Sequence, residues 1–286
     1  HRRHHDTPVE TEVRGALVLD DLGFTLTGTA DRSYRNETGR LHIYDYKTGQ
    51  PPSEKQIRAY QKQLLIEAVM LEAGGNEFLA IYAETDADRP RGAILVLHGR
   101  GYHPNWTDVV YPVRVGLLEH GWNTLSVQLP VLDKEATYND YLPLFDPSVG
   151  RINAAIEFLK EQGNDFIVLV AHSCGTHMAN RWIEKTGGAG VSAVVMIGMG
   201  ATDKGQPMQD EFHLDKLRVP VLDIMALGDF PAVRGYAPIR LVQIKSASLP
   251  MSRQRVIPDA NHYFTNRGDA LVEVIADWLD DNWPAE

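Results

Sequence analysis

The sequence lacks several features that would place a protein in a specialised class. It contains one cysteine in 286 residues, Cys174, which excludes an internal disulfide framework and a cysteine-rich metal site. Its longest apolar stretches, such as FIVLVA at 166–171, have the length of a strand. None approaches the roughly 18 apolar residues that predict a membrane span, so we expect no membrane association. These absences leave an ordinary globular protein with enough apolar residues to form a core.

A secretory signal is also missing. The chain begins HRRHHDTP, without Met and without a following apolar run. This start has the character of a cut end from a longer chain. With no signal visible, the expected location is cytoplasmic.

Positive charge is scarce as well, with a formal net charge of −10. The first 75 residues carry 10 Lys+Arg and 11 Asp+Glu, a net charge of −1, and the remaining residues therefore carry −9. Binding a phosphate backbone needs clustered positive charge. We therefore expect no nucleic-acid partner for the larger part of the chain.

Two unlike segments, 1–75 and 76–286, meet at Gly74–Gly75 and are interpreted as separate domains. The first reads as a small α+β segment, a β-meander followed by a helix over 54–73. Ser53 is a suitable N-cap for that helix, and the glycine pair ends it. The meander strands are predicted at 13–20, 23–31 and 40–47.

The second segment alternates near-continuous apolar strands with helices, which predicts an α/β fold with a mostly parallel, doubly wound sheet covered on both faces. Its strands are predicted at 77–83, 93–98, 123–128, 166–171, 192–198, 219–226 and 254–258. Its helices are predicted at 107–120, 149–162, 175–186 and 268–282.

The sequence FIVLVAHSCGTHMANRWIEK places Ser173 between a buried strand and an amphipathic helix. This is the setting of the Gly-x-Ser-x-Gly nucleophile elbow, in which small residues flank a serine at a sharp turn. Ala171 and Gly175 occupy the flanking positions, so the first departs from glycine. The pattern predicts that Ser173 is a nucleophile, although short turns of small residues also follow strands in other α/β folds.

A second motif, ILVLHGRGYHP at 94–104, is a strand running into a glycine-rich turn. In an α/β-hydrolase, this strand end supplies one oxyanion amide and the residue after the nucleophile supplies the other. The motif predicts an oxyanion hole formed by the backbone N–H of Cys174 with that of Arg100 or Gly101. A plain glycine turn is the alternative.

The base and the acid are predicted from the order Ser, then Asp or Glu, then His along the chain. His262, in DANHYF at 259–264, follows the last predicted strand and is the expected base. Asp229, at a strand end, is preferred as the acid over Asp223, which lies within the strand. The less favoured histidines are His98, His103, His172, His177 and His213.

Other side chains near these motifs leave their roles open. Cys174 could be a thiol nucleophile, but its position one residue past the turn favours a structural role. Four aromatic residues flank the long loops over the strand ends and could either line a substrate pocket or pack the loops: Trp106, Tyr138, Tyr141 and Phe145.

Residues 76–286 resemble the α/β-hydrolase superfamily over their whole length. The stretches VLHGRGYHPNW, GWNTLSVQLPVL, RINAAIEFL and IVLVAHSCGTHMA are similar to a bacterial family of uncharacterised α/β-hydrolase-like proteins, DUF3530. This resemblance implies the fold and a hydrolytic triad, and it implies no particular substrate.

Residues 9–75 resemble the carboxy-terminal nuclease module of AddB-type helicase–nuclease subunits, of the PD-(D/E)xK family, in EVRGALVL, FTLTGTADR, IYDYKTGQPPSEKQI and QLLIEAVMLEAGG. Asp45 and Lys47 lie two apart on a predicted strand, and with Asp31 they could hold a divalent metal. The resemblance adds Gln63 on the helix. Because the family's preceding helices and cluster-binding cysteines are missing, the segment is interpreted as a truncated remnant or a fusion.

The main hypothesis is therefore a serine hydrolase that cleaves small-molecule carboxylic esters and needs no cofactor. Ser173 attacks the acyl carbon, His262 transfers the proton and Asp229 orients the histidine. Two alternatives remain at this point, namely a DNA-processing nuclease and an α/β-hydrolase scaffold that binds without catalysis.

Overall fold

The computed structural model describes residues 8–19, 24–35, 41–44 and 66–284, and within them eleven strands form one sheet. The order across the sheet is β1-β2-β3-β4-β5-β7-β6-β8-β9-β10-β11. The strands are β1 (Pro8–Leu19), β2 (Phe24–Arg35), β3 (Leu41–Tyr44), β4 (Ile66–Ala73), β5 (Asn76–Ala83), β6 (Ala93–Leu97), β7 (Asn123–Val127), β8 (Ile167–His172), β9 (Ala193–Ile197), β10 (Val221–Gly228) and β11 (Arg253–Asn261).

The sheet changes from antiparallel to parallel at β7. Strands β1 to β5 pair with their chain neighbours in antiparallel fashion, and β5 pairs antiparallel with β7. From β7 across to β11, all neighbouring strands are parallel. Every residue of β6, β8 and β9 is buried, as expected for parallel strands covered on both faces. The predicted α/β-hydrolase fold is confirmed, and the sheet is mostly parallel over residues 76–286, for which this was predicted.

Helices cover both faces of the parallel region and form two apolar clusters. Side chains from α1 and α6 pack with Ile94 and Val96, on one face of β6. Side chains from α3, α4 and α5 pack in the cluster that contains Leu95 and Leu97, on its other face. The helices are α1 (Val110–Glu119), α2 (Tyr138–Tyr141), α3 (Phe145–Glu161), α4 (Cys174–Thr186), α5 (Pro231–Ser246) and α6 (Gly268–Asn282).

The helix predicted over 54–73 is wrong over 66–73, where the chain forms β4. The residues of 54–65 lie outside the described part of the chain. In β4 the side chains of Val69 and Leu71 alternate into the core, with the period of two that is typical of a strand. Gly74 and Gly75, both with positive φ, form the turn of a β4–β5 hairpin. Positive φ at both central residues is the requirement of a type I′ turn.

Helix α5 was absent from the sequence prediction. Gly235 and Pro238 lie inside it, and both residue types disfavour helix interiors. Pro231 occupies the first turn, where proline is tolerated. Val233, Ala237 and Ile244 are buried along one face, so tertiary packing stabilises a helix that intrinsic propensity opposes.

Candidate active site

Ser173 lies at the sharp turn between β8 and α4, with φ 53° and ψ −119°. This positive φ is strained for a residue with a side chain, and such strain is typical of functional turns. The turn also requires Gly175, because a Cβ there would lie 2.5 Å from the carbonyl oxygen of His98. The close approach of α4 to the end of β6 therefore depends on the glycine in the predicted motif.

The structure brings Ser173, His262 and Asp229 together at the carboxyl ends of the parallel strands. The Oγ of Ser173 lies 2.8 Å from Nε2 of His262, and Nδ1 of His262 lies 2.6 Å from Oδ1 of Asp229. Asp229 directly follows β10, and His262 directly follows β11. Gly198 makes room for the imidazole, since a Cβ there would lie 2.9 Å from Cε1 of His262.

Asp229 is held as a carboxylate by several donors. Its Oδ1 also accepts a hydrogen bond from the backbone N–H of Phe230 at 2.8 Å, and its Oδ2 accepts one from that of Ala226 at 3.0 Å. Burial alone would raise the pKa of Asp229, but the hydrogen bond and charge of His262, with the two backbone donors, lower it below its ordinary value. An ionised Asp229 fixes the proton of the imidazole on Nδ1 and leaves Nε2 as the acceptor for Ser173.

The backbone N–H groups predicted to form the oxyanion hole differ in whether they already donate a hydrogen bond within the protein. Cys174 is the first residue of α4, where backbone N–H groups have no acceptor within the helix. Gly101 already donates its N–H to the hydroxyl oxygen of Tyr141 at 3.1 Å. The backbone N–H of Arg100 has no hydrogen-bond acceptor in the described part of the chain. Of the two alternatives, the Arg100 amide is therefore the one available to a ligand.

The Arg100 side chain belongs to a loop clamp, defined here by Arg100, Asp203 and Tyr138. Both terminal nitrogens of Arg100 donate to the Asp203 carboxylate, Nη2 to Oδ1 at 3.0 Å. Oδ2 of Asp203 also accepts the backbone N–H of Tyr138 at 2.6 Å. The hydrogen bond from Arg100 keeps the pKa of Asp203 below its ordinary value. One carboxylate thus joins the glycine-rich turn, the start of α2 and the loop after β9.

A cavity of about 300 Å³ lies over Ser173. Its volume is at the small end of the roughly 300–1,000 Å³ common for small-molecule sites. Polar and charged side chains line part of it, while Tyr102, Phe230 and Tyr263 supply aromatic surface near His262. No motif in the sequence predicts these three aromatic residues as a group, because they follow three different strands and meet only in the folded protein.

Two of the less favoured histidines support the site as neutral side chains. Burial lowers the pKa of His98 to about 4 and that of His172 to about 3. Nδ1 of His98 donates to the carbonyl oxygen of Gly99 at 2.7 Å, which holds the glycine-rich turn. Nε2 of His172 donates to the carbonyl oxygen of His262 at 2.9 Å. These two histidines hold the backbone of the site in place by hydrogen bonding to it. The sequence alone does not show these contacts.

His177 and His213 contact groups other than Ser173. Nε2 of His177 donates to the carbonyl oxygen of Ala201 at 3.0 Å, and the ring stacks on Phe145. His213 lies within 3.7 Å of Glu184, away from the serine. In the described part of the chain, only His262 is hydrogen-bonded to Ser173 Oγ.

Asp223 and Cys174, the other acid and nucleophile candidates, have different surroundings. Asp223 is fully buried, and its Oδ2 accepts from Nε of Arg240 and Nε2 of Gln254, both at 2.8 Å. This contact anchors α5 to β10.

Burial raises the pKa of the Cys174 thiol to about 12, so the sulfur stays protonated at neutral pH, unlike a thiolate nucleophile.

The four aromatic residues with open roles divide between cavity and packing. Tyr138 lines the cavity, and the hydroxyl of Tyr141 accepts from Gly101 and from Leu132. Trp106 stacks on Tyr102 with ring centroids 3.8 Å apart, and Phe145 is fully buried in the core.

The predicted nuclease residues cannot be placed. Asp45, Lys47 and Gln63 lie outside the described residues, and for Asp31 only the backbone, in β2, is described. Over the described ranges, no three His, Cys, Asp or Glu side chains converge as a metal site would require.

The described helices include none long and apolar enough to cross a bilayer.

The sheet order and the covering helices give this chain the α/β-hydrolase fold. It belongs to the family of proteins of unknown function DUF3530, whose model matches residues 35–142 and 148–281. No curated protein matches the sequence. Because the family match includes 35–75, it joins part of the first segment to the hydrolase, and the AddB-type nuclease resemblance finds no support.

Solved structures share the fold at low sequence identity. Dienelactone hydrolase from Anabaena variabilis is 20% identical with a TM-score of 0.58, covering 77% of this chain and 98% of its own. An α/β serine hydrolase without a lid from Xanthomonas campestris is 15% identical with a TM-score of 0.59, covering 77% and 96%. An esterase from Pyrococcus furiosus is 14% identical with a TM-score of 0.58, covering 82% and 98%. These likenesses show the α/β-hydrolase fold, and the activity of this chain needs separate argument.

Proposed function

We propose that this protein is a serine hydrolase that cleaves carboxylic esters of small molecules through an acyl-enzyme. The observation that carries the proposal is the continuous chain of hydrogen bonds from Ser173 through His262 to the ionised Asp229. A nucleophile, a base within hydrogen-bond reach and a group that orients the base are the parts needed to activate a serine hydroxyl. Esterases occur among the proteins that share the fold.

Acylation begins at the Ser173 hydroxyl. As Oγ attacks the carbonyl carbon of the ester, Nε2 of His262 takes the hydroxyl proton, and Asp229 stabilises the resulting imidazolium without taking a proton itself. The tetrahedral intermediate then breaks its bond to the alcohol oxygen. The proton passes from Nε2 to that oxygen, which leaves as the neutral alcohol.

The negative charge on the former carbonyl oxygen needs donors that are already in place. The backbone N–H groups of Cys174 and Arg100 fill this role, and the amino terminus of α4 adds a favourable field. The loop clamp fixes the Arg100 side chain and so limits movement of its amide. In the second half of the reaction, water attacks the acyl carbon while His262 removes its proton, releasing the acid and restoring Ser173.

Covalent labelling and ester turnover test this proposal together. A fluorophosphonate probe should label the folded protein at Ser173, as located by peptide mass spectrometry, and the protein should hydrolyse short p-nitrophenyl esters. Ser173→Ala should abolish labelling and lower kcat by about three orders of magnitude or more, because the attacking oxygen is lost.

Ser246→Ala is the matched control, since Ser246 is exposed near the end of α5 and remote from the triad. It should keep both labelling and turnover. A folded wild-type protein that neither reacts with the probe nor hydrolyses any ester would be a binding scaffold, contrary to the proposal. Retention of more than a tenth of the turnover in Ser173→Ala would also contradict it.

A further inference from the structure

Three aromatic side chains that line the cavity, Tyr102, Phe230 and Tyr263, form what we call the aromatic corner. Tyr263 stands edge-on to the other two rings, with ring centroids 5.9 Å from Phe230 and 6.3 Å from Tyr102. Phe230 and Tyr263 are each 36% exposed. The corner thus presents uncovered aromatic surface to whatever occupies the cavity, in the edge-and-face arrangement that aromatic rings prefer among themselves.

Two rings of the corner, those of Phe230 and Tyr263, flank the proposed catalytic base, His262. The Phe230 ring stacks on the imidazole of His262 at 4.0 Å and 21°, and Tyr263 lies edge-on to the same imidazole at 5.2 Å. In ester hydrolysis, His262 must donate its proton to the oxygen of the leaving alcohol. That oxygen therefore lies within hydrogen-bond distance of the imidazole. The group attached to that oxygen then lies beside the rings around His262. It is the alcohol part of the ester that meets the aromatic corner.

The charges in the cavity favour a neutral partner for these rings. Arg100 and Lys134 line the cavity together with Asp133 and Asp203, so positive and negative side chains are equal in number. Burial raises the pKa of Tyr102 to about 12, which keeps its hydroxyl uncharged at neutral pH. Aromatic rings can also bind cations, but this cavity offers no surplus of negative charge to support one.

We propose that the preferred substrates are esters of small carboxylic acids whose alcohol part carries an aromatic ring, with benzyl acetate as the simplest example. The inference rests on the proposed ester hydrolysis and adds its substrate class. Water and the ester give a carboxylic acid and the aromatic alcohol, with no other reactant. The small acid follows from the modest volume of the cavity, about 300 Å³, once the ring is accommodated.

The test compares benzyl acetate with cyclohexylmethyl acetate by pH-stat measurement of kcat/KM. Both esters have the same acyl group and a primary alcohol on a six-membered ring. Because benzyl alcohol is the better leaving group, the ratio of the kcat/KM values is divided by the ratio of the rates of hydroxide-catalysed hydrolysis, and the corrected ratio reports recognition of the ring. A single well-oriented aromatic contact adds about 0.5–1.5 kcal/mol beyond the area it buries. The expected preference for benzyl acetate is therefore between about two- and tenfold.

Substitutions in the corner assign the preference to its residues. Phe230→Leu and Tyr263→Leu should each bring the ratio towards one. If Phe230→Leu also slows both esters through its contact with His262, this common loss cancels in the ratio. Tyr111→Leu is the matched control, because Tyr111 is exposed but does not line the cavity, and it should leave the ratio unchanged.

Equal rates for the two esters, or a preference that survives in both corner variants, would overturn the inference while leaving ester hydrolysis intact. Faster hydrolysis of acetylcholine than of 3,3-dimethylbutyl acetate, its neutral counterpart of similar shape, would show recognition of a cation and would also overturn it. Failure to hydrolyse any ester, together with no fluorophosphonate labelling of Ser173, would instead refute the proposed function itself.

Discussion

Asp223 and Asp229 belong to the same strand-and-turn segment but meet different partners. Asp229, past the end of β10, contacts His262 and two backbone N–H groups beside the cavity. Asp223, inside β10, is enclosed and faces Arg240. A carboxylate at a strand end can reach across to a neighbouring loop, whereas one inside a buried strand must be satisfied by the helix packed on it. This difference explains why the sequence favoured Asp229 as the acid.

Substitution of each aspartate by asparagine should separate catalysis from stability. Asp229→Asn should lower kcat by about three to four orders of magnitude, because His262 loses the carboxylate that fixes its tautomer. Asp223→Asn should lower the free energy of unfolding by about 3–5 kcal/mol, because it leaves the charge of Arg240 buried without its counter-ion. Ester turnover and urea unfolding, compared at equal folded fraction, measure the two effects. A larger loss of turnover in Asp223→Asn would move the acid to that residue.

The sequence predicted the three residues of the proposed triad, which the structure brings within hydrogen-bond distance, but missed the side chains around them for a physical reason. Ser173 belongs to a local motif, and His262 and Asp229 follow from chain order within a known strand–helix alternation. Asp203, by contrast, reaches Arg100 from a distant loop, and only the folded sheet brings the two together. The same holds for Phe230, whose position next to His262 depends on the parallel pairing of β10 and β11. Contacts of this kind leave no pattern in the chain.

At the scale of elements, the two errors in secondary structure have a common origin in packing. In place of the predicted helix, hydrogen bonding to β5 selects the strand β4, whose Val69 and Leu71 alternate into the core. Helix α5 has a poor intrinsic propensity, and Arg240 on its buried face compensates by bonding to Asp223 and to the carbonyl oxygens of Met199 and Val233. In both cases tertiary contacts override the local preference.

The loop clamp should affect catalysis more than folding. Asp203→Asn removes the charge that holds Arg100 but keeps an oxygen for the backbone N–H of Tyr138. Because the ion pair is about one-third exposed, its loss should cost less than about 1 kcal/mol of stability. A less well-held Arg100 amide should lower kcat by about ten- to a hundredfold with little change in KM, somewhat less than removal of an oxyanion donor.

Asp280→Asn is the control for this prediction. It breaks another partly exposed arginine pair, with Arg91, that contains no residue of the site. Steady-state kinetics and thermal unfolding of both variants make the comparison. Equal kinetics in Asp203→Asn, Asp280→Asn and the wild type would show that the loop clamp does not position the oxyanion amide.

At the scale of the whole molecule, the β4–β5 hairpin bears directly on the predicted domain boundary between residues 75 and 76, because its two strands lie on either side of it. The hairpin carries the sheet across that boundary, with Val69 paired to Ala80 and Leu71 to Phe78. Val69 and Leu71 belong to the same apolar cluster as Trp182, on helix α4, which directly follows Ser173. We therefore propose that the hydrolase core begins no later than β4, which agrees with a family match that starts before it.

Leu71→Ala in the full chain tests where the core begins. Leu71 is 1% exposed, so truncation to alanine leaves a cavity and should lower the free energy of unfolding by about 2–5 kcal/mol. Met70→Ala, the adjacent residue on the other face of β4 and only partly buried, should cost less. Urea unfolding should show one transition in which loss of ester turnover and loss of tryptophan fluorescence shift together, because the hydrolase and β4 unfold as one unit. If Leu71→Ala leaves the urea midpoint of ester turnover unchanged, β4 is not part of the catalytic core and the boundary at residue 75 stands.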